Sequence, residues 1–269
     1  MMLPHTPLLT DDRRDRYLER LGFVSPPKPT QATLGALHLA HLRLVPFENL
    51  DIHLGRRITI DVAAFVGKIV DQSRGGFCYE LNGAFAVLLR TIGFEVTMHE
   101  ARVHGTNGPT QPFDHLCLIV QINVPFLVDV GFGASFDEPI QIAPNARKVD
   151  AGGAFRLNSI DGEWWDLSSE TGPQYRFSQR PRLLEDFAPG CEFHQSSASH
   201  FTTSTICSLR TSTGRITIRG NTLIETIAGE RHESNLDRNG LDRALNDRFG
   251  INLDQAAIDG LHQTSFPKT

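Results

Sequence analysis

The chain has 269 residues, of which 40% are hydrophobic, and a formal net charge of −5 at pH 7. This composition is ordinary for a globular protein with a hydrophobic core, and the length allows one large domain or two to three small ones packed together. A nucleic-acid-binding protein would carry a basic stripe, so the negative charge and the absence of long runs of like charge argue against that class.

The first ten residues and the lengths of the apolar runs indicate where in the cell the protein is located. Residues 1–10 contain two prolines and a histidine, whereas a signal peptide needs an unbroken apolar stretch. The longest apolar run elsewhere is far below the roughly 18 residues that a membrane span requires. We therefore predict a cytoplasmic protein without a membrane partner.

Helical periodicity dominates the first third of the sequence. Apolar residues repeat every three to four positions in four segments, which are residues 11–21, 30–44, 62–70 and 79–92. Asp61 has the position of an N-cap, and Gly22 and Gly93 have the position of helix stops. Four short helices in succession predict a helical bundle.

Beyond Gly93 the apolar pattern changes to a period of two, which is typical of strands. We predict strands near residues 96–103, 116–122, 126–130, 155–157, 164–167, 175–177, 215–219 and 222–227, and helices at 237–249 and after Leu253. The middle third therefore predicts a β-barrel or a strongly curved sheet. Helices, then strands, then a mixed remainder indicate an α+β fold rather than alternating βαβ units.

The cysteines and histidines of the chain lack the spacing of metal ligands. Four cysteines occur without CxxC pairing or zinc-ligand spacing, at Cys78, Cys117, Cys191 and Cys207. In a reducing cytosol they should be free thiols. His38 and His41 lie one helical turn apart, but no acidic or third ligand is near them in sequence. We therefore interpret these histidines as a polar helix face and expect no metal site.

Cys78 differs from the other cysteines because it stands at the start of the predicted helix 79–92, directly after Arg74-Gly75-Gly76-Phe77. The positive end of the helix dipole favours a thiolate. The two glycines would let the backbone approach a substrate closely and take unusual dihedral angles. A buried cysteine at the start of a helix is the alternative, but this position makes Cys78 a candidate nucleophile.

A cysteine nucleophile needs a base and an acceptor that orients the base. His115 heads one alternating strand, and Asp129 lies between two valines in the next. In an antiparallel hairpin these two residues lie near its open end, facing each other or diagonal, whereas a register shift of one residue would turn them apart. Cysteine on a helix, then histidine and aspartate on strands, is the layout of papain-like thiol catalysis with Asp in place of Asn.

At this point the sequence resembles the arylamine N-acetyltransferase family. The resemblance rests on Pro46-Phe47-Glu48-Asn49-Leu50-Asp51, Arg74-Gly75-Gly76-Phe77-Cys78-Tyr79-Glu80-Leu81-Asn82-Gly83, Ala101-Arg102-Val103 and Leu127-Val128-Asp129-Val130-Gly131-Phe132-Gly133. It is close over residues 17–134 and looser beyond, where Ser199-His200-Phe201 and Phe249-Gly250-Ile251 are landmarks. Asp114 departs from the threonine that many relatives have before the histidine. Ala134 likewise stands where a third glycine is common.

The resemblance implies a helical bundle (1–93), a β-barrel (94–198) and an α/β lid (199–269) around one cleft with a Cys78–His115–Asp129 triad. It also implies that acetyl-CoA is the acyl donor, that an arylamine or hydrazine is the acceptor, and that the reaction is ping-pong. Glu48 and Arg74 would pair to brace the catalytic loop. The aromatic walls of the amine pocket would come from Phe47, Phe132 and Phe201, with two glycines turning Phe132 toward the cleft.

Three alternatives stay open at the level of the sequence. An amide synthase of the same fold would join a polyketide chain to an aromatic amine. A peptidase or transglutaminase would use the same triad, and a non-catalytic binding module would need no triad at all. Coenzyme A release measured with a panel of amines, peptides and donors distinguishes these possibilities.

Overall fold

The computed structural model describes residues 8–133 and 136–264. The first third contains α1 (Asp11–Arg20), α2 (Gln31–Leu44), β1 (Phe47–Glu48), α3 (Leu50–His53), α4 (Val62–Asp71) and α5 (Cys78–Ile92). The four predicted helices are confirmed, whereas the single turn of α3 is too short to show a periodic pattern. Asp61 caps α4 by accepting a hydrogen bond from the Ala63 N–H, and Gly93 ends α5 with a left-handed φ of 108°.

An antiparallel sheet follows and curves into a nearly closed barrel, as predicted. Its strands are β2 (Glu95–Gly105), β3 (Gly108–Pro109), β4 (His115–Gln121), β5 (Pro125–Val128), β6 (Ile140–Gln141), β7 (Arg147–Asp150), β8 (Gly153–Ser159), β9 (Trp164–Ser169) and β10 (Gly172–Arg182). The spatial order is β6-β5-β4-β2-β10-β9-β8-β7, with β3 beside β2.

The end of β5 corrects one expectation about the site. The strand stops at Val128, so Asp129 lies one residue beyond it rather than inside it. The reason is that the next backbone N–H groups have side-chain partners instead of a neighbouring strand. The Asp129 N–H donates to His38, and the Val130 N–H donates to Asn82.

A second, smaller sheet forms in the last third of the chain. It contains β11 (Ile206–Arg210), β12 (Gly214–Arg219), β13 (Thr222–Ile227) and β14 (Glu230–Asn235) in the order β1-β11-β12-β13-β14. The helices of this part are α6 (Ala188–His194), α7 (Arg238–Phe249) and α8 (Gln255–Thr264). The predicted β12, β13, α7 and α8 are confirmed. The sequence did not indicate β14, because all six of its residues are exposed and none is apolar.

The central helix of the molecule is α5. Its first twelve residues are all buried, so every side of the helix faces protein rather than solvent. Apolar residues from the other N-terminal helices and from β2, β4 and β5 form one core cluster around it. The domain boundaries at residues 93 and 198 stay a prediction. Strand β1 of the first third pairs with β11 of the last third, so these two parts of the chain share one sheet. None of the described helices is long and apolar enough to cross a membrane.

Candidate active site

Cys78 is the first residue of α5 and is almost fully buried. The helix start is fixed by Glu80, whose carboxylate accepts a hydrogen bond from the Phe77 N–H at 3.1 Å. Burial raises the pKa of the Cys78 thiol well above its ordinary value, although the nearby Leu116 backbone lowers it. The expectation that the helix dipole alone favours a thiolate is therefore incomplete, because desolvation opposes it. The thiol needs a base.

The two glycines before Cys78 accommodate neighbouring protein atoms. A Cβ on Gly75 would lie 1.7 Å from the Pro46 carbonyl oxygen, and one on Gly76 would lie 2.5 Å from a Glu80 carboxylate oxygen. Neither glycine has a left-handed φ, so the prediction of unusual dihedral angles is wrong. Close packing of the loop against the segment before β1 explains these glycines.

His115 and Asp129 meet through a short hydrogen bond. His115 is the first residue of β4, and its Nε2 lies 2.7 Å from Asp129 Oδ2. Leu118 pairs with Val128 in the β4–β5 hairpin. If this register is continued past the end of β5, Asp129 lies diagonally opposite His115, and both side chains are on the same face of the hairpin. Burial alone would raise the pKa of Asp129, but the charge and hydrogen bond of His115 bring it below its ordinary range. The carboxylate is thus held as an anion against the ring.

His115 Nδ1 is the ring nitrogen not engaged by Asp129. His115 and Cys78 line the same cleft. Among the hydrogen bonds of the described residues, none joins the Cys78 sulfur to this ring. Direct contact between nucleophile and base therefore stays a prediction.

Asn82 lies one turn after Cys78 on α5 and connects the helix to both strands of the hairpin. Its amide nitrogen donates to Asp129 Oδ1 at 2.9 Å and to the Leu116 carbonyl at 2.7 Å. Its carbonyl oxygen accepts from the Val130 N–H at 3.0 Å. Asn82 was quoted in the sequence only as part of a motif. Its i+4 spacing from Cys78, on the same helix face, is the signal that could have identified it.

Gly131 sets how closely the hairpin approaches α5. A Cβ at this position would lie 2.7 Å from both the Cys78 Cα and the Asn82 amide nitrogen. Such distances are far below van der Waals contact, so only glycine fits without moving the helix start. Gly131 therefore has a packing role beside Cys78, and its expected role in turning Phe132 toward the cleft stays a prediction.

His38 and His41 are fully buried, so the interpretation as a polar helix face is wrong. Burial lowers the pKa of His38 and makes the ring neutral. Its Nδ1 lies 3.0 Å from the Asp137 carbonyl oxygen, and its Nε2 lies 3.1 Å from the Asp129 carbonyl oxygen and 3.3 Å from the Asp129 backbone nitrogen. His41 instead meets the Tyr17 hydroxyl at 2.9 Å. The described residues contain no group of three metal-ligating side chains.

We call residues 74–77, directly before Cys78, the catalytic loop. Behind it lies a buried cluster of two cationic and three carboxyl side chains, which we call the ion cluster: Glu48, Asp51, Lys68, Arg74 and Glu80. The Glu48–Arg74 pair expected from the resemblance is present at 2.7 Å. Lys68, which the sequence did not indicate, lies 2.7 Å from Asp51 and 2.9 Å from Glu80. Burial, together with the charge of Glu48, raises the pKa of Glu80 to about 7 despite Lys68.

A cleft of about 620 Å³ opens in front of Cys78 and His115. The three phenylalanines expected in the amine pocket, Phe47, Phe132 and Phe201, all line it. Phe132 contacts the His115 ring edge-on, with centroids 5.3 Å apart, and Phe47 lies 6.0 Å from Phe201. The buried Tyr175, which the sequence did not single out, packs against His115 and Phe132 from behind.

A second carboxylate–imidazole pair lines the same cleft. His194 Nε2 lies 2.9 Å from the Asp114 carbonyl oxygen and 3.3 Å from its carboxylate Oδ1. The other carboxylate oxygen accepts from the Thr110 hydroxyl at 2.6 Å, and His194 Nδ1 lies 3.2 Å from Ser199 Oγ. Both partners are buried. The sequence marked Asp114 only as a departure and did not indicate His194.

Comparison with known proteins agrees with this architecture. A family profile described as N-acetyltransferase matches residues 30–258. The arylamine N-acetyltransferase of Mycolicibacterium smegmatis is 32% identical over 262 residues, covering 90% of this chain and 92% of the relative. The arylamine N-acetyltransferase structure from Salmonella typhimurium is 27% identical, with a TM-score of 0.88 and coverage of 95% of this chain and 99% of its own.

A third relative bears on the ligand. The Mycobacterium marinum arylamine N-acetyltransferase, solved in complex with CoA, is 28% identical, with a TM-score of 0.85 and coverage of 93% of this chain and 98% of its own. Sequence and structure similarity extend over nearly the whole length of each protein. The chain therefore belongs to the arylamine N-acetyltransferase family of acyltransferase enzymes.

Proposed function

We propose that this enzyme transfers an acetyl group from acetyl-CoA to the nitrogen of arylamines or arylhydrazines through an acetyl-Cys78 intermediate. The observation that carries the proposal is the His115–Asp129 hydrogen bond of 2.7 Å beside a cleft that also contains Cys78. The CoA complex of the M. marinum relative supports the choice of donor.

In the first half-reaction, His115 removes the proton of the Cys78 thiol, and Asp129 stabilises the imidazolium that forms. The thiolate attacks the thioester carbon, and backbone amides near Cys78 stabilise the oxyanion. The bond between the acetyl carbon and the sulfur of coenzyme A then breaks, and the departing sulfur takes the proton from His115. One thioester replaces another, so this step is nearly balanced in energy.

In the second half-reaction, the amine nitrogen attacks the acetyl carbon of the intermediate. The Cys78 sulfur leaves, and His115 passes the amine proton to it. Arylamines and hydrazines suit this step because they are largely neutral at pH 7, whereas ordinary alkylamines are protonated and lack a free lone pair. Two half-reactions that share one site give ping-pong kinetics.

The amine binds between aromatic side chains in this proposal. Phe47, Phe132 and Phe201 supply flat apolar walls, which suit a ring that carries one polar group. The Phe201 backbone carbonyl accepts a hydrogen bond of 2.9 Å from Asn49, which holds this wall against the loop before α3. Glu48 and Arg74 support the catalytic loop from behind. The four cysteines are unpaired, as the cytoplasmic location that we also propose requires.

The test is to incubate the protein with isotopically labelled acetyl-CoA and no amine. We expect one acetyl group per chain, located on Cys78 by peptide mapping, and its removal when an arylamine is added. A label on Cys117, Cys191 or Cys207 instead would overturn the proposal. Parallel lines in double-reciprocal plots against both substrates would support the ping-pong order, and intersecting lines would contradict it.

A panel of acceptors and donors in the same assay tests the remaining alternatives. Amide synthase activity would require an acyl donor other than acetyl-CoA for rapid labelling. Peptidase or transglutaminase activity would release amine or ammonia from peptides. Neither outcome is expected.

A further inference from the structure

The described residues that line the cleft carry an uneven set of ionisable groups. They include one carboxylate, Asp114, three imidazoles and no lysine or arginine. Aromatic, small and hydroxyl-bearing side chains make up most of the remainder. Among the described lining residues, a ligand therefore meets one acidic side chain and no permanent positive charge.

Two of the three imidazoles lie against a carboxylate, so neither of these pairs adds a net positive charge to the lining. His115 is paired with Asp129 at 2.7 Å, and His194 lies 3.3 Å from the Asp114 carboxylate. His200 has no such partner, but its burial and then the nearby His194 lower its pKa. Among the described lining residues, an anionic ligand therefore finds no lysine or arginine and no imidazole placed to act as a lone cation.

The Asp114 carboxylate is fixed in place from two sides. Thr110 donates to one oxygen at 2.6 Å, and the His194 ring lies on the other. The side chain is buried beside His115, so water screens its charge poorly. A fixed, poorly screened carboxylate acts on the charge of whatever binds next to the nucleophile.

We propose that Asp114 is a specificity-determining residue that excludes negatively charged arylamines from this cleft, so that the enzyme takes neutral or cationic arylamines and hydrazines. The inference rests on the acetyl transfer proposed above. The pantetheine arm and the acetyl group of the donor are uncharged, so Asp114 does not oppose them. Two like charges within about 7 Å at a protein surface lower binding by about tenfold or more.

A matched pair of amines tests the proposal. 4-Aminobenzoate and methyl 4-aminobenzoate share one ring and one para carbonyl, and they differ by a negative charge. We expect the ratio of kcat/KM for the acid to that for the ester to rise about tenfold in Asp114→Asn. In Thr110→Val, which removes a hydrogen bond from Asp114 but no charge, the ratio should stay within about twofold of the wild type.

An Asp114→Asn protein that loses activity equally toward both amines would show a structural role and overturn the inference. If that variant does not fold, Asp114→Ser provides the same comparison. The wild-type enzyme provides an independent test. Its ratio of kcat/KM for 4-aminobenzoate to kcat/KM for the methyl ester should be at least about tenfold lower than the ratio of the rate constants with which the two amines react with acetic anhydride in water. Equal ratios would also overturn the inference. Absence of acetyl-Cys78 would instead refute the proposed function, so the two failures are distinguishable.

Discussion

The region behind Cys78 and the cleft in front of it differ in how many ionisable side chains they contain. Behind the catalytic loop, the ion cluster places five ionisable side chains in a buried space, and each lies within 4.0 Å of at least one group of the opposite type. In front, the described cleft lining contains a single carboxylate and no lysine or arginine. Paired ionisable groups thus lie against the loop before Cys78, whereas the cleft surface in front of Cys78 is mostly apolar.

The largest expected effect comes from leaving the ion cluster unbalanced. Arg74→Met removes the cation that contacts Glu48 at 2.7 Å and Asp51 at 3.1 Å. Removing one partner of a buried pair typically costs about 3–5 kcal/mol, because the remaining charge is buried without compensation. We expect a loss of this size in the free energy of unfolding, measured by urea titration with circular dichroism.

The matched control is Arg13→Met, which breaks an ion pair with Asp71 that is exposed to solvent. Exposed pairs contribute about 0–1 kcal/mol, so this variant should unfold almost like the wild type. Equal losses of unfolding free energy in Arg74→Met and Arg13→Met would show that a buried ion pair of the cluster contributes no more to stability than an exposed one.

The pH dependence of stability sharpens the comparison. The pKa of Glu80 is about 7 in the folded protein against an ordinary 4.5, so the folded state holds more protons between these values. The stability that the protonated carboxyl contributes is therefore present below about pH 4.5 and is lost as the pH rises through 7.

Glu80→Gln cannot titrate at this position. Its unfolding free energy relative to the wild type should rise by up to about 3 kcal/mol between pH 4.5 and 8, because a shift of one pKa unit corresponds to about 1.4 kcal/mol. Urea titrations of both proteins at several pH values measure this difference. A constant difference would mean that Glu80 stays ionised throughout.

Asn82 lies between the ion cluster and the cleft, and its substitution should lower catalysis more than stability. Asn82→Ala removes the amide that contacts Asp129, Leu116 and Val130. Displacement of a catalytic group by about 1 Å can lower the rate by about 100-fold, so we expect kcat/KM to fall on that order. Asn246→Ala, at an exposed position of α7, is the control and should leave kcat/KM unchanged. Similar activity of the two variants would remove Asn82 from the positioning network.

The smallest expected effect comes from replacing single aromatic side chains of the cleft, and it should differ between Phe201 and Phe132. Phe201→Leu should slow breakdown of the acetyl-enzyme by arylamines about tenfold, since stacking contributes roughly 0.5–1.5 kcal/mol, and should leave its formation unchanged. Phe132→Leu should slow both steps, because this ring also packs on His115 at 5.3 Å. Single-turnover measurements of the two half-reactions distinguish these outcomes. Identical profiles would show that the two rings share one role.

Elements with a strong local pattern were predictable from the sequence. The apolar repeats of α2, α4 and α5 and the alternation of β4 gave their type and approximate bounds. The sequence also indicated one unit made of Cys78 at a helix start, His115 at a strand start and Asp129 between two valines. The His115–Asp129 hydrogen bond is present, and its combination with Cys78 stays a prediction. Local patterns carry this information because burial of one face needs a regular spacing of apolar side chains.

Features that depend on distant partners were not predictable in the same way. β14 has only exposed side chains, so its pairing with β13 leaves no apolar trace. His38 looked like surface, although it is buried against Asp129, 91 residues later in the chain. The raised pKa of Cys78 likewise comes from desolvation, which depends on everything packed around the helix start rather than on the neighbouring sequence.

The two-residue strand β1 has a consequence for the order in which the molecule is made. Phe47 bridges to Gly76 of the catalytic loop on one side and pairs with Ser208 of β11 on the other. Next to it, Asn49 accepts a hydrogen bond from the Ile206 N–H, 157 residues further along the chain. A ribosome must therefore synthesise β11 before β1, which contacts the loop preceding Cys78, has both of its backbone partners. The surroundings of Cys78 are then completed late in translation, although Cys78 itself emerges in the first third of the chain.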